Sequence, residues 1–194
     1  GEQDMRRMGG VWRLLPYTYV QMWIGSLALP GIPFFAGYYS KDMILETAYA
    51  AGGIGTYAFW LGIAAAFMTA FYSWRLLFMT FHGKPRASHD VMHHVHESPG
   101  IMLYPLLLLA AGALFSGILG YHVFGMVSAD GAFWQATIGS HEIIEHAHHV
   151  PGWVPVLPLL VALSGIALAW YLYIVNTSLP EKLADKFPRL YQFL

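Results

Sequence analysis

The sequence contains no cysteine. A disulfide, an iron–sulfur cluster and a thiolate metal site are therefore excluded within this chain. Charge is scarce too. Asp, Glu, Lys and Arg make up 11% of the 194 residues, against roughly 25% in an ordinary soluble domain. The net charge of −1 offers no basic surface to nucleic acid. Lys and Arg are missing altogether from two stretches, residues 52–56 and 125–153. No Gly-rich phosphate loop, nucleophile elbow or dinucleotide fingerprint is present, and Gly52-Gly53-Ile54-Gly55 reads only as a turn. The opening GEQDMRRMGG has neither an initiating Met nor a signal-peptide pattern. The closing PEKLADKFPRLYQFL stops in what reads as the start of an amphipathic helix. Both ends are those expected of a piece of a longer membrane protein.

What is abundant is apolar surface. Hydrophobic residues make up 57% of the chain, and the mean hydropathy is +0.49. Four apolar blocks cover residues 16–51, 57–81, 101–124 and 154–175. The last three have about the 20-residue length that a helix needs to cross a bilayer. The blocks are rich in Leu, Ala and Met and show no two-residue alternation, so they predict helices. The first block is longer and is interrupted at Pro30-Gly31-Ile32-Pro33, which predicts one span made of two half-helices. Gly25, Ser26, Gly62, Gly112, Gly117, Gly120, Ser164 and Gly165 are expected to allow close helix approach. Aromatics such as Trp12, Tyr17, Trp60, Trp153 and Tyr173 collect near the ends of the blocks, as in interfacial belts.

The basic residues set the expected topology. Arg6, Arg7 and Arg13 precede the first block, Lys84 and Arg86 follow the second, and Lys182, Lys186 and Arg189 follow the fourth. Four spans put all of these on one side, which the positive-inside rule makes cytoplasmic or matrix. The segment 176–194 then lies on that side as well.

Only Lys41 and Arg75 fall inside the blocks. With the second half-helix starting near Phe34, Lys41 lies about 15 Å from its outer end at 1.5 Å per residue. A charge at that depth costs about 2.5–3.5 kcal/mol on insertion scales and marks a functional site by default. Lysine, unlike arginine, can exist in either protonation state inside a protein. Asp42 follows, about 100° round the helix, so the two side chains need not pair with each other. Glu46 lies one turn beyond Asp42. The break leaves carbonyls near Ala28 and Leu29 and amides near Phe34–Ala36 without helical partners, and in a membrane such groups line protein or water. Discontinuous helices of this kind mark ion pathways. The plainer alternative ends the span near Leu29, runs the chain along the interface and lets Lys41 snorkel.

Arg75 sits near the end of the second block and is expected to snorkel. Two stretches are rich in histidine. One holds His89, His93, His94 and His96; the other holds His141, Glu142, Glu145, His146, His148 and His149. Neither matches H-E-x-x-H, so solvated pH-sensitive loops are expected rather than a metal site.

EQDMRRMGG with PYTYVQMWIGSLALPGIPFFAGYYSKDMI, and then YSWRLLFMTFHGKPR at 72–86, resemble the subunit L family of bacterial NADH-quinone oxidoreductases (respiratory complex I), whose mitochondrial counterpart is chain 5. The resemblance implies an all-α transmembrane bundle of about four spans with a broken first helix. That bundle is part of an antiporter-like fold (residues 1–175), followed from residue 176 by the start of a lateral helix. It gives Lys41 and Asp42 the place of proton carriers at the outward end of the channel. Pro30, Gly31 and Pro33 form the helix break. The family's other channel residues lie upstream of Gly1. It implies no cofactor and no metal in this chain. Its implied partners are other membrane subunits of complex I, in the bacterial inner membrane or the mitochondrial inner membrane. Two alternatives remain beside it: the large subunit of a multisubunit Na+/H+ antiporter, and a membrane scaffold that conducts no ion.

Overall fold

The computed structural model describes residues 3–126, 133, 146–147 and 149–188. His141, Glu142, Glu145, His148 and residues 189–194 of the tail lie outside the described residues. The architecture is all-helical among them. Two short 3-10 turns, Met5–Arg7 and Val11–Arg13, lead into α1 (Pro16–Ala28) and α2 (Ala36–Ala50). Then come α3 (Ile54–Phe81), the short α4 (His89–His93) and α5 (Gly100–Ile118), the last extended by a π turn (Leu119–Val123). Helix α6 (Leu157–Trp170) continues into a second π turn (Tyr171–Val175), and α7 (Leu179–Lys186) follows.

Three of these are long and apolar enough to cross a membrane: Ile54–Phe81, Gly100–Val123 and Leu157–Val175. The halves α1 and α2 have 13 and 15 residues, about 20 Å each at 1.5 Å per residue. Neither is long enough to cross a bilayer alone. They stack one beyond the other along α3. Trp23 and Leu27 of α1 pack with Trp74, Leu77 and Phe78, toward the end of α3. Leu45 of α2 packs with Phe59 and Ile63, near its start. Trp74 and Ile63 are separated by about 16 Å of helix rise. A chain running along the interface after Leu29 would not reach Phe59. The packing of α2 beside Phe59 and Ile63 runs counter to that alternative.

Helices α3 and α6 form the closest pair, through small residues. Ala162, Gly165 and Ala169 are buried on α6; Gly165 lies against Phe67, Ala70 and Phe71 of α3, and Ala169 packs with Trp74, Leu77 and Phe78. A Cβ on Gly165 would stand 2.8 Å from the Phe67 carbonyl oxygen. With no hydrophobic force between helices in lipid, this proximity supplies the dispersion contact that holds the pair. The expectation of close approach holds also at Gly62, against Leu45, and at Gly117, against Ala36 and Tyr39, but it fails at other positions. A Cβ added at Gly25 or Gly112 would meet no atom within 4 Å, and the exposed Ser164 hydroxyl donates to Val161 O of its own helix at 2.7 Å. A small residue permits contact but does not say which face receives a neighbour.

The ends of the bundle differ. At one, Gly10 N donates to His82 O at 3.1 Å, and Arg86 Nε donates to Arg6 O at 2.9 Å. At the other, Trp153 packs on Tyr49 and Phe59 with ring centroids 5.4 and 6.1 Å apart. The basic connections therefore gather at one end. Arg75 reaches toward that end, its guanidinium 5.3 Å from the centroid of the Tyr173 ring.

The same end carries an unexpected cap. Helix α1 starts at Pro16, and Leu15 before it supplies no side-chain cap. Glu97 does so from the far side of the loop. Its carboxylate accepts from Tyr17 N at 2.8 Å, from Thr18 N at 3.4 Å and from the Thr18 hydroxyl. A carboxylate there meets free amides and the positive end of the helix dipole. Partial burial opposes ionisation of Glu97, but the hydrogen bonds from Thr18, Tyr17 and Ser98 outweigh it and hold its pKa below the ordinary value. A depressed folded-state pKa stabilises the folded form above the ordinary carboxyl range, and that contribution is lost as pH falls through the folded value. Hydrogen exchange should find the Tyr17 and Thr18 amides protected at neutral pH, with that protection lost only in acid below the ordinary glutamate range. Glu97→Gln should already expose them at pH 7. Protection unchanged in Glu97→Gln at pH 7 would show that the Glu97 carboxylate is not what caps α1.

Candidate functional site

The break between α1 and α2 is built from local chemistry. Ile32 N donates to Leu27 O at 3.2 Å, and Gly31 N donates to Ala28 O at 3.2 Å. This nested pair is the Schellman ending of a helix, which requires a left-handed residue. Gly31 supplies it at φ +76°. Pro33 then has no N–H with which to resume the helix. Phe34 is turned to φ +77°, Phe35 is extended, and α2 begins at Ala36.

The two halves remain in contact. Gly37, in the first turn of α2, faces the Ala28 carbonyl so closely that a Cβ would overlap it. That approach brings the side chain of Lys41 back over the break, where Nζ donates to the Pro30 carbonyl. This oxygen lies at the negative end of the α1 dipole, where a cation is favoured. The orphan carbonyls expected at Ala28 and Leu29 are met differently. Ala28 O receives Gly31 N, and it is Pro30 that receives the lysine.

Asp42 stands beside it, with Oδ1 3.9 Å from Lys41 Nζ. The sequence left the two side chains free to face different neighbours, but the fold brings their charged ends to ion-pair distance. They are not equivalent. The Asp42 side chain is 8% exposed and that of Lys41 24%. Neither Asp42 oxygen accepts a hydrogen bond from the described residues. A buried carboxylate with one long ionic contact and no donor is poorly stabilised as a fixed structural ion. Chemically, such a group can take up or release a proton with little rearrangement around it.

Pro30, Gly31, Pro33, Lys41 and Asp42 thus lie at one place. Gly37 belongs with them and was not singled out from the sequence. Its only sequence signal is a glycine in the first turn after a Pro-rich break. Trp74 was also missed. Its indole Nε1 donates to the buried Ser26 carbonyl at 3.1 Å and holds the end of α1 against α3. Tyr39 connects the site to α5, packing against Tyr121 with ring centroids 5.5 Å apart, while Gly117 admits the Ala36 backbone and the Tyr39 ring. His82 is remote from the pair, at the basic end, where its Nε2 lies 3.0 Å from the Tyr19 hydroxyl. Of the histidine-rich loop, the His89 and His93 rings meet edge to face on α4, with centroids 4.5 Å apart. No three His, Cys, Asp or Glu side chains converge on a metal position among the described residues.

An all-helical bundle built around a broken helix is the architecture of a polytopic membrane protein of the kind that carries ion or substrate paths. Residues 1–74 match the family described as NADH:quinone oxidoreductase/Mrp antiporter, TM. The NADH-quinone oxidoreductase subunit L of Rhodobacter capsulatus is 35% identical over 261 aligned residues, covering 100% of this chain and 36% of that protein. Its counterpart in Rickettsia bellii is 43% identical over 172 residues, 89% of this chain and 26% of the relative. The NADH-ubiquinone oxidoreductase chain 5 of Phytophthora infestans is 42% identical over 177 residues, with the same two coverages of 89% and 26%. The chain is a homologue of the subunit L and chain 5 proteins. It spans between 26% and 36% of the length of these three relatives.

Proposed function

We propose that this chain forms part of the proton path in the membrane arm of an NADH:quinone oxidoreductase, with Lys41 and Asp42 as the proton carriers. The observation that supports this reading most is the Asp42 carboxylate, buried at a helix break and 3.9 Å from Lys41 Nζ. Protonated Lys41 is bound by the carbonyl end of α1 and faced by Asp42. Loss of its proton turns an ammonium into an amine and weakens both attractions. The lysine side chain is then free to leave Pro30, and Asp42 releases or accepts the proton on the outer side. The charge state of the pair is in this way coupled to the geometry of the break. Electron transfer belongs to other subunits, and no cofactor is assigned to this chain. The proposed partners are neighbouring antiporter-like membrane subunits. The proposed setting is a bacterial or mitochondrial inner membrane, with the basic end toward the cytoplasm or matrix.

The matched family also embraces Mrp antiporters, so the coupling ion is the discriminating quantity. The full-length protein, purified with its partners and reconstituted in liposomes, should take up protons on addition of NADH and quinone, at a rate indifferent to Na+. Proton movement driven only by a Na+ gradient, from a preparation without NADH oxidation, would favour the antiporter. Absence of any proton movement from an active preparation would favour the scaffold.

A further inference from the structure

A second feature lies apart from the lysine–aspartate pair. At the basic end, a cavity of about 1210 Å³ opens between the end of α3, the π turn after α6, and α7. Its walls divide by chemistry. Leu172, Ile174, Leu183 and Phe187 form an apolar side. Arg6, Arg75, Lys84 and Arg86 form a basic side, against one acidic lining residue, Glu181.

The four cations are held differently. Arg86 donates to the backbone carbonyls of Met5 and Met79 at 3.1 and 2.6 Å, so its charge is fixed at the rim. Arg6 is paired with Asp4 at 2.9 Å. Arg75 lies over the Tyr173 ring, and its buried Nε donates to no protein acceptor among the described residues. Lys84 is exposed. Arg75 and Lys84 are therefore the groups with capacity to bind an anion. A guanidinium placed on an aromatic face keeps its donor edge for a phosphate or carboxylate.

We propose that this cavity is a headgroup site for a phosphate-bearing anionic lipid. The phosphate sits between Arg75 and Lys84, and the acyl chains leave along Leu172 and the exposed apolar flank of α6, which includes Leu168 and Trp170. Three observations favour a lipid over a free anion or an acidic peptide. The cavity lies where two membrane-crossing helices end. Its apolar wall adjoins Leu168 and Trp170, which are exposed on α6. Its cover, α7, is amphipathic, with Glu181, Lys182, Asp185 and Lys186 among Leu179, Leu183 and Ala184, as suits an interface.

The test uses the full-length protein, delipidated in detergent and titrated with dioleoylphosphatidylglycerol or dioleoylphosphatidylcholine under native mass spectrometry. Phosphatidylglycerol should be retained preferentially. The Arg75→Gln/Lys84→Gln variant should retain it roughly thirtyfold less, since each basic group near a lipid surface contributes about fivefold. Lys84→Glu, at an exposed position, should alone lower retention several-fold, and it guards against misfolding of the double variant. Equal retention of the two lipids, or unchanged retention in Lys84→Glu, would overturn the proposal. Displacement of the lipid by millimolar inorganic phosphate would overturn it in favour of a free-anion site. An empty response to both lipids would leave the cavity to another segment of protein and overturn it equally.

Discussion

Asp42→Asn in the full-length protein should reduce the rate of proton movement through this path by at least roughly tenfold, lowering proton uptake per NADH oxidised, because loss of one positioned proton carrier commonly costs about two orders of magnitude or more in rate. Lys41→Ala should do the same. The substitutions separate function from stability because they act on different terms. Asparagine keeps the shape of Asp42 and removes its charge. Since neither carboxylate oxygen receives a hydrogen bond, little favourable contact is lost and a desolvated charge is relieved. Thermal stability should therefore stay within about 1 kcal/mol of the parent. Lys41→Ala differs, since it leaves Pro30 O without its donor and Asp42 without its cation, so some loss of stability accompanies the loss of pumping. Proton uptake and NADH oxidation would be recorded together in liposomes, with thermal unfolding followed in detergent. If Asp42→Asn pumps normally, the pair is not the carrier. If it unfolds early and pumps normally, the pair is a structural ion pair.

Gly37→Ala should be strongly damaging for a single added methyl. A Cβ at Gly37 would overlap the Ala28 carbonyl oxygen, and backbone cannot rotate away as a side chain can. The two half-helices must separate, which by the usual cost of overpacking lowers stability by about 1–3 kcal/mol. Separation also withdraws Lys41 from Pro30, so proton movement should fall with stability. Gly25→Ala is the internal control. It lies on α1 with no atom within 4 Å of a Cβ, and replacing glycine in a helix interior gains up to about 1 kcal/mol. Unfolding midpoints of the two variants should move in opposite directions. A Gly37→Ala protein that behaves like Gly25→Ala would mean that the halves are not in contact at Ala28.

Much of this was legible in the sequence, and the reasons are local. Helices follow from apolar runs that must satisfy their own backbone in lipid. The position of the break follows from Pro30, Gly31 and Pro33, whose backbone chemistry is fixed by the residues themselves. Lys41 and Asp42 stand out because charge is rare in such a segment. The segregation of Arg and Lys to alternate connections follows from their order along the chain.

The tertiary structure decided everything that depends on which helix faces which. Lys41 finds Pro30 11 residues away. Trp74 finds the Ser26 carbonyl 48 residues away, and Glu97 finds Thr18 79 residues away. Helices that are apolar on all sides carry no stripe to say which face turns inward. Gly165 and Gly25 look alike in sequence, yet only Gly165 meets a neighbour. The same holds for charge. The sequence by itself determined that Lys41 and Asp42 would stand out as charges in an apolar segment, just beyond a helix break. Only the packing of α2 along α3 and α5 decided that the carboxylate would be buried without a donor while the lysine reached back to the end of α1, because burial and reach are properties of the surrounding helices rather than of the residues themselves.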